Sequence, residues 1–300
     1  MTAYIFISFR SYSLLMLQTR SIGRRFSSRE TVEGAGVRLR RAFGYSELPL
    51  FDPFLMLDDF RADRPEDYLL GVPWHPHRGI ETVTYMLEGR MEHRDSMGNS
   101  GSVDAGNIQW MTAGSGIIHQ EMPKPVNGIM GGFQLWVNLP RSHKMMDPRY
   151  QEIAWDRIPV VEANSGVTVK VICGKFGDAI GPVRDIVADP DFFDVSVLHR
   201  AHFTAKVKRG YTVFAYVIGG EGILDEAETT VKNHDLVIFS DGDNVTASGI
   251  GIKSFRFLLL SGRPFHEPVA WRGPIVMNTD AELQQAFQEY RDGTFIQKGK

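Results

Sequence analysis

The chain has 300 residues, with 33 Lys and Arg against 36 Asp and Glu and a formal net charge of −3, a length that predicts two domains each able to bury a core. So even a balance gives no general attraction to nucleic acid or to anionic membranes, which would need a basic patch, and a single cysteine rules out an intrachain disulfide framework. No run approaches the roughly eighteen consecutive apolar residues of a membrane helix, because the greasy stretch from Tyr4 to Leu17 is cut by Arg10 and several serines.

In chain order, residues 1–29 carry Arg10, Arg20, Arg24, Arg25 and Arg29 and no Asp or Glu. Residues 1–34 are therefore expected to be an N-terminal extension, partly disordered, with Met16 as an alternative start. An organelle transit peptide has this composition too, but a cytoplasmic location is the preferred expectation. From Thr82 to Leu87, β-branched, aromatic and aliphatic residues mix before Glu88-Gly89, and Arg90 to Arg94 then returns, which predicts a hairpin. Short strands follow at Ile108–Met111, Ile117–His119 and Phe133–Leu139, punctuated by Gly and Pro, the spacing of an all-β barrel or sandwich. Pro140 and a looser charged stretch place a domain boundary near residue 150, dividing the chain into 35–150 and 151–300. Beyond it, Cys173 sits beside Val171 and Ile172 and reads as a buried, inert thiol. The second half repeats the first: Tyr216 falls on Tyr85 and Gly220 on Gly89 at a constant offset of 131, and Gly242 falls on Gly114 at 128. Near the end, Thr279 with Glu282 three residues on is a capping box that opens a short helix, and Asp292-Gly293 closes it.

Chemistry concentrates in two short segments. His75-Pro76-His77 and His119-Gln120-Glu121 each hold ligating side chains at i and i+2, and in a strand those positions share one face. Were the segments neighbours, three imidazoles and one carboxylate would converge as ligands for a divalent transition metal. The repeat tests this internally: the second unit has Lys206 and Lys208 in place of the first His pair, and Ala247 and Gly249 in place of His119 and Glu121. Protonated lysines repel a dication, so the second unit is expected to be metal-free. His93, His143, His199, His202, His234 and His266 lack a ligand-spaced companion in a matching segment and read as solvated or hydrogen-bonded. Trp110 and Met111 read as core. There is no G-x-S-x-G elbow, P-loop or dinucleotide fingerprint.

The segments His75-Pro76-His77-Arg78-Gly79-Ile80-Glu81-Thr82 and Ile108 to Pro123 closely resemble the two metal-binding segments of the pirin family, and Pro53 to Phe60, Phe133 to Leu139 and Arg272 to Thr279 look like that family too. The resemblance implies an all-β fold of two tandem cupin-type β-barrels, a bicupin or double-stranded β-helix, with the short helix at the C-terminus. It implies one metal in the first barrel, bound by His75, His77, His119 and Glu121, with Fe(II) the first choice and Mn, Ni, Co, Cu or Zn as alternatives. Glu81 is then expected to line the barrel or orient a ligand imidazole. The implied activity is that of a quercetin 2,3-dioxygenase, opening a flavonol ring with O2, with Glu121 also taking the proton of the substrate 3-hydroxyl. The resemblance offers a second reading, an iron- and redox-dependent transcription co-regulator that binds a protein partner without direct contact to nucleic acid or membrane.

Overall fold

A computed structural model describes residues 17–297; the expectations about residues 1–16, Met16 as a start among them, lie outside this range. The fold is two cupin domains built from β-strands, with one α-helix at Asp280–Arg291 among the described residues. The helix starts as its sequence predicts: Thr279 accepts from the Glu282 N–H while the Glu282 carboxylate accepts from the Thr279 N–H. No helix among the described residues is long and apolar enough to cross a membrane.

Each domain pairs a seven-stranded sheet with a four-stranded one, and the two large sheets have the same order. In the first domain it runs Arg149–Ile153, Ile108–Thr112, Ile80–Glu88, Gly131–Asn138, Phe54–Asp59, Val37–Phe43, Arg29–Glu33. In the second it runs Ile22–Ser27, Asp235–Phe239, Thr212–Gly219, Phe255–Gly262, Asp191–Val197, Val167–Cys173, Val160–Asn164. Thus the repeat seen in the sequence is a repeat of topology. Its edges hold two departures from the expected boundaries. Ile22–Ser27, which composition places in the N-terminal extension, pairs with Asp235–Phe239 of the second domain, locked there by Arg25 on Asp235 at 2.7 Å. Arg149–Ile153, which straddles residue 150, pairs wholly with the first domain.

The predicted hairpin at Gly89 does not form. Ile80–Glu88 pairs within the large sheet, whereas Arg90–Asp95 pairs with Ile117–Lys124 and Ser100–Asp104 in the small one. Gly89, at φ 75°, is the corner where the chain leaves one sheet for the other. Alternation and a turn residue look the same in a hairpin and at a barrel corner, so local sequence did not separate them.

The two large sheets pack face to face over one core containing Phe43, Phe54, Tyr85, Trp110 and Phe133 from the first and Cys173, Phe192, Phe214, Tyr216 and Leu258 from the second. Cys173 is buried there, and burial pushes its thiol up to about 12, the inert state its neighbours predicted. Two reciprocal ties close the interface. The Tyr85 hydroxyl donates to Asp194 at 2.7 Å and the Tyr216 hydroxyl donates to Asp59 at 2.9 Å, each aspartate also held by an arginine of its own domain, Arg256 and Arg61 respectively. The second barrel is filled by aliphatic and aromatic side chains such as Val169, Phe193, Val217, Val237 and Phe257. The first barrel instead encloses a cavity of about 620 Å³.

Candidate metal centre

At the wall of that cavity the strands Val72–His77 and Ile117–Lys124 run antiparallel, with His119 opposite His75 and Ile117 opposite His77. Val72–His77 is the edge of the four-stranded sheet, so Pro76 breaks no ladder by lacking an N–H. Along Ile117–Lys124 burial alternates residue by residue, turning Ile117, His119, Glu121 and Pro123 inward. The turn after His77 is fixed by Gly79, at φ 76°, where a Cβ would come within 2.0 Å of the Val276 carbonyl oxygen.

The three imidazoles come together as the spacing predicted. One ring nitrogen from each of His75, His77 and His119 lies within 4.8 Å of the others, with His75 Nε2 at 2.9 Å from His77 Nε2 and 3.0 Å from His119 Nε2. The opposite ring nitrogens define the tautomers: His75 Nδ1 meets the Pro73 carbonyl at 2.8 Å and His77 Nδ1 the Pro274 carbonyl at 3.0 Å. A carbonyl only accepts, so each Nδ1 carries the proton and each Nε2 turns a lone pair toward the shared centre. Burial holds all three rings below the usual imidazole pKa, His77 and His119 well below it, so they are neutral near pH 7. Facing lone pairs repel unless a cation lies between them. Two nitrogen donors each about 2.1 Å from one ion, at right angles to each other, stand about 3.0 Å apart, so the donor set and its spacing fit a divalent transition metal.

Glu121 stands in the wall of the same cavity, outside the tight imidazole cluster. Burial pushes its carboxyl up to about 7, and one donor opposes the shift: the Thr84 hydroxyl, 3.3 Å from Oε1.

One expectation needs correction. Glu81 orients no imidazole, since carbonyls hold His75 and His77; it faces the core between the domains, where Oε1 accepts from the Thr112 hydroxyl at 2.7 Å and Oε2 is buried without a partner. Burial raises its pKa to about 7. His93 takes the hydrogen-bonded one of its two expected states, buried opposite Glu121 with Nε2 at 2.9 Å from the Gln109 side-chain nitrogen. Trp110 and Met111 are core, as expected.

Sequence reasoning missed the contribution of the last thirty residues to this site. Pro274 supplies the acceptor for His77, and Trp271 lines the cavity. The buried Arg78 clamps the C-terminal segment down, donating to the Ser115 carbonyl at 2.7 Å, to Glu289 at 2.6 Å and to the Phe295 carbonyl at 2.8 Å. Lys144, also buried, donates from Nζ to the Gly79 and Val276 carbonyls and to Asn138. No short-range signal marks such contacts, because their partners lie up to 217 positions apart in sequence.

The pirin family model matches residues 36–137, and the model described as the pirin C-terminal cupin domain matches residues 192–296. A pirin-like protein of Caulobacter vibrioides is 48% identical over 267 residues, covering 88% of this chain and 95% of its own. Human pirin is 40% identical over 273 residues, covering 88% and 90%. Among solved structures, a quercetin 2,3-dioxygenase from Acinetobacter baumannii superposes with a TM-score of 0.85 at 30% identity, covering 93% of this chain and 99% of that one.

Proposed function

The chain belongs to the pirin family, and from that premise we propose that it is a metal-dependent dioxygenase of the quercetin 2,3-dioxygenase type, cleaving a flavonol-like ring with O2. One observation carries the reading: three buried imidazoles bring one ring nitrogen each to a common point, two of them with tautomers fixed by carbonyls, beside a cavity large enough for a drug-sized ligand, in a domain whose twin lacks the imidazoles and is filled by apolar side chains. The likeness to the Acinetobacter quercetin 2,3-dioxygenase supports the substrate class.

In this reading His75, His77, His119 and Glu121 hold the metal, in the domain spanning 35–150 and not in that spanning 151–300. Fe(II) is the first candidate, because imidazole and carboxylate ligands with open positions suit iron and oxygen chemistry, though Mn, Ni, Co, Cu and Zn accept the same donors. The ion would supply Lewis acidity and open positions for substrate oxygen and dioxygen. The protein does the rest. Apolar walls that include Met56, Phe60 and Trp136 exclude water and pack against a flat ring. Glu121 takes the proton of the flavonol 3-hydroxyl, a task suited to a carboxyl that burial has made more basic. Asp58 and Arg41, paired at 2.8 Å in the cavity lining, offer polar partners to the substrate's other hydroxyls.

The test is elemental analysis of the purified protein, anaerobic Fe(II) reconstitution, and an oxygen-electrode assay with quercetin. Steady oxygen uptake matched to quercetin loss is expected. Iron bound without turnover, together with partner binding that changes between Fe(II) and Fe(III), would replace this reading with the regulatory one.

A further inference from the structure

A row of polar side chains crosses six of the seven strands of the large sheet of the first domain. Cross-strand pairing sets Arg41 opposite Asp58, Asp58 opposite Gln134, Gln134 opposite Thr84, Thr84 opposite Gln109, and Gln109 opposite Glu152. Directly paired residues share a face of the sheet, so the row is continuous, and Thr84, Asp58 and Gln109 within it are buried. A buried polar side chain is costly unless it is hydrogen-bonded, and a fold that needs only a barrel has no reason to bear that cost three times in one row.

The second domain shows that it need not. The equivalent row, taken through the same strand order, reads Val171, Phe193, Leu259, Ala215, Val237 and then Arg25 at the edge. Its first five members are buried in the apolar filling of that barrel. Thr84 falls on Ala215 at the offset of 131 already visible in the sequence. Topology and register are kept while the chemistry is inverted, and the polar version occurs in the domain that has the histidines.

The middle of the row touches the site. Thr84 Oγ1 is 3.3 Å from Glu121 Oε1 and 3.0 Å from Gln134 Oε1, and it is the side-chain donor that Glu121 has among the described residues. A threonine hydroxyl has one proton. Turning the Gln134 amide through 180° would make it a donor to Thr84 and release that proton wholly to Glu121, giving a directed chain from amide to hydroxyl to carboxylate. Among the described residues Glu121 has no arginine or lysine partner, so its Oε1 is held by the Thr84 hydroxyl alone among side chains.

We propose that Thr84, braced by Gln134, is the positioning residue that aims the Glu121 carboxylate at the three-histidine centre. The inference rests on the metal reading given above. It is tested without any substrate, by titrating Co(II) into the apoprotein and recording affinity and the visible absorption bands, which report ligand number and geometry. Thr84→Val keeps the shape and removes the hydroxyl; it is expected to weaken Co(II) binding about tenfold, the usual loss when an outer partner of a ligand is removed, and to alter the bands. Thr84→Ser restores the hydroxyl and should bring both back toward wild type, which a packing role could not explain because serine fits the site worse than valine. Gln134→Leu should reproduce the Thr84→Val change in weaker form, and serves in its place if Thr84→Val does not give a cooperative melt. Unchanged affinity and bands in Thr84→Val, or in Gln134→Leu where it stands in, would overturn the proposal. A wild type that shows no saturable Co(II) binding, or binding that survives His77→Ala, would overturn the metal reading itself and this inference with it.

Discussion

Replacing Glu81 by glutamine should stabilise the protein at alkaline pH and do little at acid pH. Glu81 lies in the core between the two large sheets, with Oε1 accepting from the Thr112 hydroxyl, Oε2 buried without a partner in bonding geometry, and the neutral side chains of Thr112 and Trp110 only partly offsetting the cost of burying its charge. Burial raises its pKa from 4.5 to about 7. Between those two values the folded state keeps a proton that the unfolded chain has released, so stability falls as pH rises through the window and the loss is complete above about pH 7. The interval of about 2.5 units corresponds to about 3 kcal/mol. Glutamine has the same shape and no charge to desolvate. Its amide adds an N–H that wants an acceptor, a cost present at every pH, and the Thr112 hydroxyl can turn to meet either group. The pH difference therefore isolates ionisation: the gain of Glu81→Gln over wild type should grow by about 3 kcal/mol between pH 4.5 and pH 8, or roughly 6 °C in Tm for a chain of this size. Thermal melts of both proteins across that range measure it. A gap that does not change with pH, or a variant that loses ground as pH rises, would refute the reasoning.

Glu121→Gln should fold with a melt like that of wild type and lose oxygen uptake with quercetin by about a hundredfold or more, the scale of a lost general base. His77→Ala should retain less metal than wild type after identical Fe(II) reconstitution, seen by elemental analysis, and the rise in Tm that saturating metal gives wild type should shrink to the same degree. Arg78→Met removes the cation from a buried pair with Glu289 and leaves two carbonyls short of a donor; a loss of about 3 kcal/mol is expected in denaturant unfolding, with residues 280–297 becoming the first site of limited proteolysis.

The sequence disclosed what is local or repeated. Strand alternation, the capping box at Thr279 and the two His-bearing dipeptide steps each depend on residues within four positions of one another, and each is present in the fold. The repeat disclosed more, because matching Tyr85 to Tyr216 is a statement about topology; carried one step further, to Thr84 against Ala215, it would also have marked the polar row. What stayed hidden depends on which strand lies beside which. Gly89 turns a corner instead of a hairpin, Glu81 faces the other domain instead of an imidazole, and His93 is buried because the strand carrying Glu121 lies alongside it. Pro274 could not be read as a partner of His77 at all, since a backbone carbonyl has no side-chain signature.

The arm Ile22–Ser27 gives the chain an order of assembly. Its partner Asp235–Phe239 leaves the ribosome some two hundred residues later, so the arm, made first, must wait unpaired until the edge it covers has been synthesised. Scission near residue 150 would strand that piece on the wrong half and leave an apolar border free to recruit other chains. A peptide of residues 17–29 supplied in trans to the fragment 151–300 should fill the border and suppress its aggregation.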